Sequence, residues 1–181
     1  MMELAEAHIG SGNVMTVLGV IPAASMGITL PHEHIHNVCR CWWHKPVEAD
    51  RFHLADGPVH MAIIGELRMD PFVNRDNCTL DDEALAVSEL LAFKTAGGAT
   101  VVDPTCRGIG RNPEALVRIS QATGLHIVMG SGYYLQTSHP PELARLSIDD
   151  IADEIVAEAM HGVADTGVKI GLIGEIGVSG E

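Results

Sequence analysis

Two histidines one residue apart, His32 and His34, close the apolar run at residues 27–36 (GITLPHEHIH), and metal chemistry could begin there. In an extended strand alternate side chains share a face, so both imidazoles point one way and Glu33 points the other. Two imidazoles on one face can grip one metal ion. Imidazole accepts zinc, iron, nickel and similar ions, so the spacing leaves the metal open. A His-x-His is weak evidence by itself. A second element strengthens it: Glu175, inside the apolar run at residues 170–176 (IGLIGEI). A carboxylate among apolar neighbours is costly to bury unless a cation compensates it, and a metal ion, an Arg or a Lys would serve.

The elements that must position these residues belong to a chain of 181 residues, enough for one domain with a real core. A hydrophobic content of 46% and a mean hydropathy of +0.18 exclude a disordered chain and predict strands buried on both faces, as in an α/β protein. The formal net charge of −13 opposes binding to nucleic acid or an anionic membrane. Cys39, Cys41, Cys78 and Cys106 have no disulfide-framework spacing, and the N-terminus lacks a basic stretch followed by an apolar one. These features predict a cytoplasmic protein with reduced thiols. No apolar run reaches the ~18 residues that cross a bilayer.

Residues 14–20 read as a strand of an opening hairpin, turned by Pro22 and residues 23–27 into the histidine strand. Residues 37–77 form a long irregular segment with a short helix expected near 59–67, and a connection of this length in a compact domain is usually functional. Thr79 with Asp82 resembles a capping box, and Ala84, Val87, Leu90 and Leu91 mark a helical face that Gly97 ends. A buried strand follows at 99–103. Asn112 and Pro113 start the next helix, Gly124 stops it, and 126–130 is the next strand. Ser147 caps a helix whose residues Ile148, Ile151, Ala152, Ile155 and Ala159 keep the 3.6 period. The final strand spans 170–176.

This order predicts parallel βα units, arranged either as an open doubly wound sheet or as a (β/α)8 barrel. His32, His34, Asp103 and Glu175 all fall inside or at the C-terminal ends of strands, where barrel enzymes assemble their sites, and that favours the barrel.

The stretches TVLGVIPAASMGITLPHEHI, GGATVVDPTCRGIGRNPEAL, VMGSGYY and IGLIGEIGVS resemble the phosphotriesterase family of the amidohydrolase superfamily. They are most similar to its phosphotriesterase-related branch, which includes proteins labelled resiniferatoxin-binding. The resemblance runs from about Val14 onward and implies a (β/α)8 barrel with a binuclear centre, usually two Zn2+ ions, that hydrolyses esters, lactones or phosphotriesters through a metal-bound hydroxide. It implies that His32 and His34 are first-strand ligands and that Glu175 is the bridging residue on strand four. Many members carry a carbamylated lysine there. Lys169 lies six residues earlier and cannot substitute, so paraoxon-type activity is not expected.

The resemblance also implies two further histidines on strands five and six and an aspartate on strand eight, beyond Glu181. A barrel of this kind needs ~250 residues. The chain is therefore expected to be the N-terminal half of such a barrel, with little hydrolytic activity alone: a truncated hydrolase, a fragment whose other half is separate, or a self-associating homo-oligomer. Half a barrel leaves strand edges and apolar faces uncovered. The competing reading is a non-catalytic remnant that binds a metal or a hydrophobic ligand.

Other residues carry weaker expectations. By resemblance, Tyr133 and Tyr134, after strand three, line the substrate pocket. Trp42 and Trp43 offer an apolar wall for a small-molecule substrate or stack elsewhere. Asp103 is a candidate to hydrogen-bond a ligating histidine and so set its tautomer. Gly108 and Gly110 leave backbone amides where an anion could sit. Cys39 and Cys41 read as ordinary buried thiols rather than zinc ligands.

Overall fold

The computed structural model describes residues 12–179. Four strands make one parallel sheet in the order β3 (Ile28–Leu30), β6 (Gly98–Asp103), β7 (His126–Ser131), β8 (Leu172–Ile173). Each strand lies beside its predecessor, with no reversal of order. A doubly wound sheet reverses at a switch point, so this winding is that of a barrel wall.

Three helices return the chain between these strands: α2 (Glu83–Thr95), α3 (Pro113–Thr123) and α4 (Ile148–Met160). Their packing follows from the sequence pattern. Val101, Ile127 and Met129 form one buried cluster with Leu90, Leu116 and Ile119, and Ile155 and Ala159 of α4 pack against it. Asn112 accepts from Ala115 N at the start of α3, and Gly124 ends that helix in the left-handed region. Ser147 and Asp150 form the reciprocal capping box of α4.

Several expected boundaries move. The histidine strand ends at Leu30, before the histidines, and the last strand holds only Leu172 and Ile173. The hairpin turn falls inside the expected strand 14–20, joining β1 (Asn13–Thr16) to β2 (Gly19–Pro22). It lies against the barrel wall, where Val17 N donates to Ile127 O at 2.9 Å. Asp82, not Thr79, caps α2 by accepting from Leu85 N, because Thr79 is committed to β5 (Thr79–Leu80), paired with β4 (Asn37–Val38).

The segment between β4 and β5 carries α1 (Ile64–Met69) and has its own small core of Leu54, Ile63, Leu67 and Val73. Buried Asn74 ties it together by donating to Leu54 O at 2.6 Å and Gly57 O at 2.8 Å.

Among the described residues, β3 and β8 each pair on one side only. Beside β3 runs a groove of about 680 Å³, with Leu30, Ile35 and Phe93 on its lining and Glu33, Asp82 and Glu89 among its acidic residues. No described helix is long and apolar enough to cross a membrane.

Candidate metal centre

The site is built just past the C-terminal ends of β3, β6 and β8. Beyond Leu30 the chain stays beside β6, where Glu33 N donates to Val102 O at 2.9 Å. Ile35 N donates to Asp103 Oδ2 at 3.1 Å. These two bonds keep the chain beside β6 through a bend at His32, and both imidazoles still turn toward Glu175. Beyond β8, Gly174 N donates to Ser131 O at 2.6 Å and Glu175 N to Pro104 O at 3.2 Å. The approach needs glycine: a Cβ at Gly174 would stand 2.3 Å from Pro104 O.

These contacts bring Glu175 to both imidazoles. Its Oε1 is 3.1 Å from His32 Nε2, and its Oε2 is 3.6 Å from His34 Nε2. The imidazole rings meet nearly edge to face, with centroids 5.5 Å apart. One ligand atom from each residue lies within 4.8 Å of the others, the one such trio among the described residues. Two imidazole nitrogens and a carboxylate oxygen converging this way suit a transition-metal ion, because imidazole and carboxylate are both ligands of zinc. Among the described ion pairs the partners of Glu175 are these two histidines, with no Arg or Lys.

Asp103 reaches the site indirectly. Fully buried, it accepts from Ile35 N and from Thr105 N, and Thr105 Oγ1, not the carboxylate, stands 2.7 Å from His34 Nδ1. Burial pushes the Asp103 carboxyl up, against hydrogen bonds from Thr105 and Ile35 that pull it down. Sequence reasoning missed Thr105, since one hydroxyl in the turn at residues 103–107 carries no signal of its partner.

The aromatic candidates separate. Trp42 packs edge-on to Tyr134 at 5.9 Å, and Phe72, which the sequence did not single out, lies 6.1 Å from Trp42. This group borders the chain after Glu175: a Cβ at Gly177 would be 3.0 Å from Tyr134 Cδ2. Trp43 instead lies under Arg75, whose guanidinium is 3.8 Å from the ring centre. Tyr133 donates its hydroxyl to Glu154 on α4.

Gly108 and Gly110 are spaced for packing, since a Cβ at Gly108 would collide with Ser138 O and one at Gly110 with Val38. The expectation that Cys39 and Cys41 are buried also fails: Cys39 is half-buried and Cys41 exposed. Burial and then the neighbouring Cys41 and Cys78 push the Cys39 thiol up to about 11. Burial and then Glu175 push Cys106 up to about 11. Neither is a ready nucleophile near neutral pH.

The sequence profile of the phosphotriesterase family matches residues 12–181. An N-acetyltaurine hydrolase from Tetraodon nigroviridis is 40% identical over 168 residues, 92% of this chain and 48% of that protein. A phosphotriesterase-related protein from Nematostella vectensis is 39% identical, over 93% of this chain and 49% of that protein. Among solved structures, a resiniferatoxin-binding protein from Rhodobacter sphaeroides superposes with a TM-score of 0.91 at 57% identity, over 94% of this chain and 48% of that one. The chain thus spans about half the length of the relatives it matches, and its four parallel strands are part of a (β/α)8 barrel. With the profile running from the hairpin through Glu175, the chain belongs to the phosphotriesterase family.

Proposed function

We propose that this chain carries the first metal ligands of a hydrolase that cleaves small-molecule ester, lactone or phosphoester bonds. A relative named as a lactonase template supports the lactone class, and those named N-acetyltaurine hydrolases extend it to amides. The observation that carries the reading is the convergence of His32, His34 and Glu175 within 4.8 Å. Zn2+ suits this donor set, and other transition metals fit it too. Bound there, such ions would polarise the carbonyl or phosphoryl oxygen and activate water.

His32, His34 and Glu175 would hold an ion, and a glutamate with two oxygens could also serve a second one. Trp42 and Tyr134, with Phe72 behind them, form an apolar wall for the substrate. Trp43 and Tyr133 brace the loops that carry them. Ligands for a second ion and a proton-handling carboxylate would come from four further βα units or from another copy of the chain.

Zn2+ titration and ester hydrolysis test this together. The isolated 181-residue chain is expected to bind one ion and to hydrolyse little. A chain that takes up no Zn2+ removes the proposal, and a robust lactonase rate abolished by His32→Ala removes the expectation of inactivity.

A second reading, a non-catalytic module for a metal or hydrophobic ligand, draws on the same Trp42–Tyr134 group. It predicts one ion or none per chain even when the further barrel units are supplied. Two tightly bound ions in that assembly would exclude it.

A further inference from the structure

We infer that Cys39 and Cys78 are the two halves of a disulfide clasp, which a small-molecule disulfide closes at the base of the loop carrying Trp42 and Phe72. The clasp is independent of the proposed metal chemistry.

Spacing along the chain gives no hint of this pair, and the β4–β5 ribbon creates it. Asn37 faces Leu80 and Val38 faces Thr79. One rung further Cys39 faces Cys78, where Cys39 N donates to Cys78 O at 2.8 Å. Directly opposite residues of an antiparallel pair project to the same face, with Cα atoms about 4.5–5.5 Å apart. Disulfides span Cα separations of about 4.4–6.8 Å, so the ribbon already holds this pair at bridging distance. The Cys39 thiol donates to Asn37 Oδ1 at 2.7 Å, a bond that closure gives up. Cys41 has left the rung because the chain turns there: Trp42 N donates back to Cys39 O at 3.1 Å, and Cys41 is exposed.

The loop between the two thiols has its own small core of Leu54, Ile63, Leu67 and Val73, and at its base each strand of the ribbon is two residues long. A ribbon this short opens by local fraying. A covalent rung at its end keeps the loop closed, and Trp42 and Phe72 with it.

Thiol exchange supplies the chemistry. The half-buried Cys39 thiol loses its proton and attacks one sulfur of oxidised glutathione, releasing a reduced glutathione. Cys78 then attacks the Cys39 sulfur and releases the second. The two protein thiols are oxidised, the glutathione disulfide is reduced, and the two protons pass to the departing thiolates. Burial and then Cys41 raise both thiols, so closure is slow at neutral pH and no stabilised thiolate favours reopening.

Trypsin reads the pairing directly, because Arg40 and Arg75 place Cys39, Cys41 and Cys78 in three different peptides. The protein is incubated with oxidised glutathione at mildly alkaline pH, its remaining thiols are alkylated, and the unfolded chain is digested. Mass spectrometry of the wild type should find the peptide ending at Arg40 joined to the one containing Cys78. Cys41→Ser should give the same link and Cys78→Ser none. In the folded, oxidised wild type, cleavage after Arg51 and Arg68 should be about 10-fold slower or more than after reduction with dithiothreitol, a comparison that needs no variant. A wild type that keeps all its thiols free, or carries only mixed glutathione disulfides, overturns the inference. So does a link through Cys41 in place of either partner, or one formed only between two chains. A Cys39–Cys78 link that leaves cleavage after Arg51 and Arg68 unchanged overturns the clasp's hold on the loop.

Discussion

Glu158, buried on α4 against Ser131 at the end of β7, and Glu175, partly exposed just past β8, are carboxylates whose surroundings give them opposite characters. Glu158 receives Arg111 in a two-pronged pair at 2.6 and 2.7 Å and also takes the Ser131 hydroxyl; the Arg111 and Glu158 side chains are only 4% and 10% exposed. Arg111 Nη1 further donates to Gly130 O at 3.0 Å. Charge and hydrogen bonds close on themselves, so no lone pair is left for a guest.

Glu175 meets imidazoles instead, and an imidazole is not obliged to be charged near neutral pH. Its oxygens and the two ring nitrogens aim at a common point without cancelling one another. The comparison teaches that burial alone does not mark a ligand. A permanently charged, geometrically matched partner makes a brace, whereas a neutral partner with a spare lone pair makes a site.

The strongest blow to this contrast would come from Arg111→Ala. Stranding a buried carboxylate typically costs about 3–5 kcal/mol, so urea denaturation should show a loss of that order. A loss below about 1 kcal/mol would mean that Glu158 is not a brace. Next, Zn2+ at 100 times its dissociation constant should stabilise the wild type by about 2.7 kcal/mol in thermal melts, reversibly with a chelator. His34→Ala should lose that gain while changing the stability of the metal-free protein little. Equal stabilisation of both proteins would show the trio is not where the ion goes.

Acid sharpens the comparison further. Burial pushes the Glu158 carboxyl up, but Arg111 and Ser131 outweigh it and hold the group below the usual carboxylate range. A depressed folded-state pKa adds stability above the unfolded value and loses it as pH falls through the folded one. Wild-type melting temperature should therefore drop on the acid side, and Glu158→Gln should flatten that drop while lowering the plateau at neutral pH. The smallest effect should come from the cap of α2, remote from both carboxylates. Asp82→Ala should cost about 0.5–2 kcal/mol and leave Zn2+ binding unaltered.

Legibility in the sequence followed the range of the forces involved. The starts of α3 and α4 were readable because Asn112 and Ser147 bond to amides three residues away. The start of α2 was misplaced because Thr79 and Asp82 are both capping types, and only pairing with β4 removes Thr79 from the choice. The inner packing of residues 37–77 was closed to such reading. Its small core and the Asn74 tie depend on apolar residues of irregular spacing, and Phe72 reaches Trp42 across thirty positions of chain.

The sequence by itself determined which side chains could bind a cation, that His32 and His34 share a face, and that parallel βα units carry them. These follow from residue chemistry and from periodicities that operate within a turn or a strand. Only the tertiary structure decided that Glu175 crosses 143 positions to meet His32, and that Thr105 Oγ1 comes within 2.7 Å of His34 Nδ1. Those meetings depend on sheet register and on the close approach that Gly174 permits beside Pro104, which no local preference encodes.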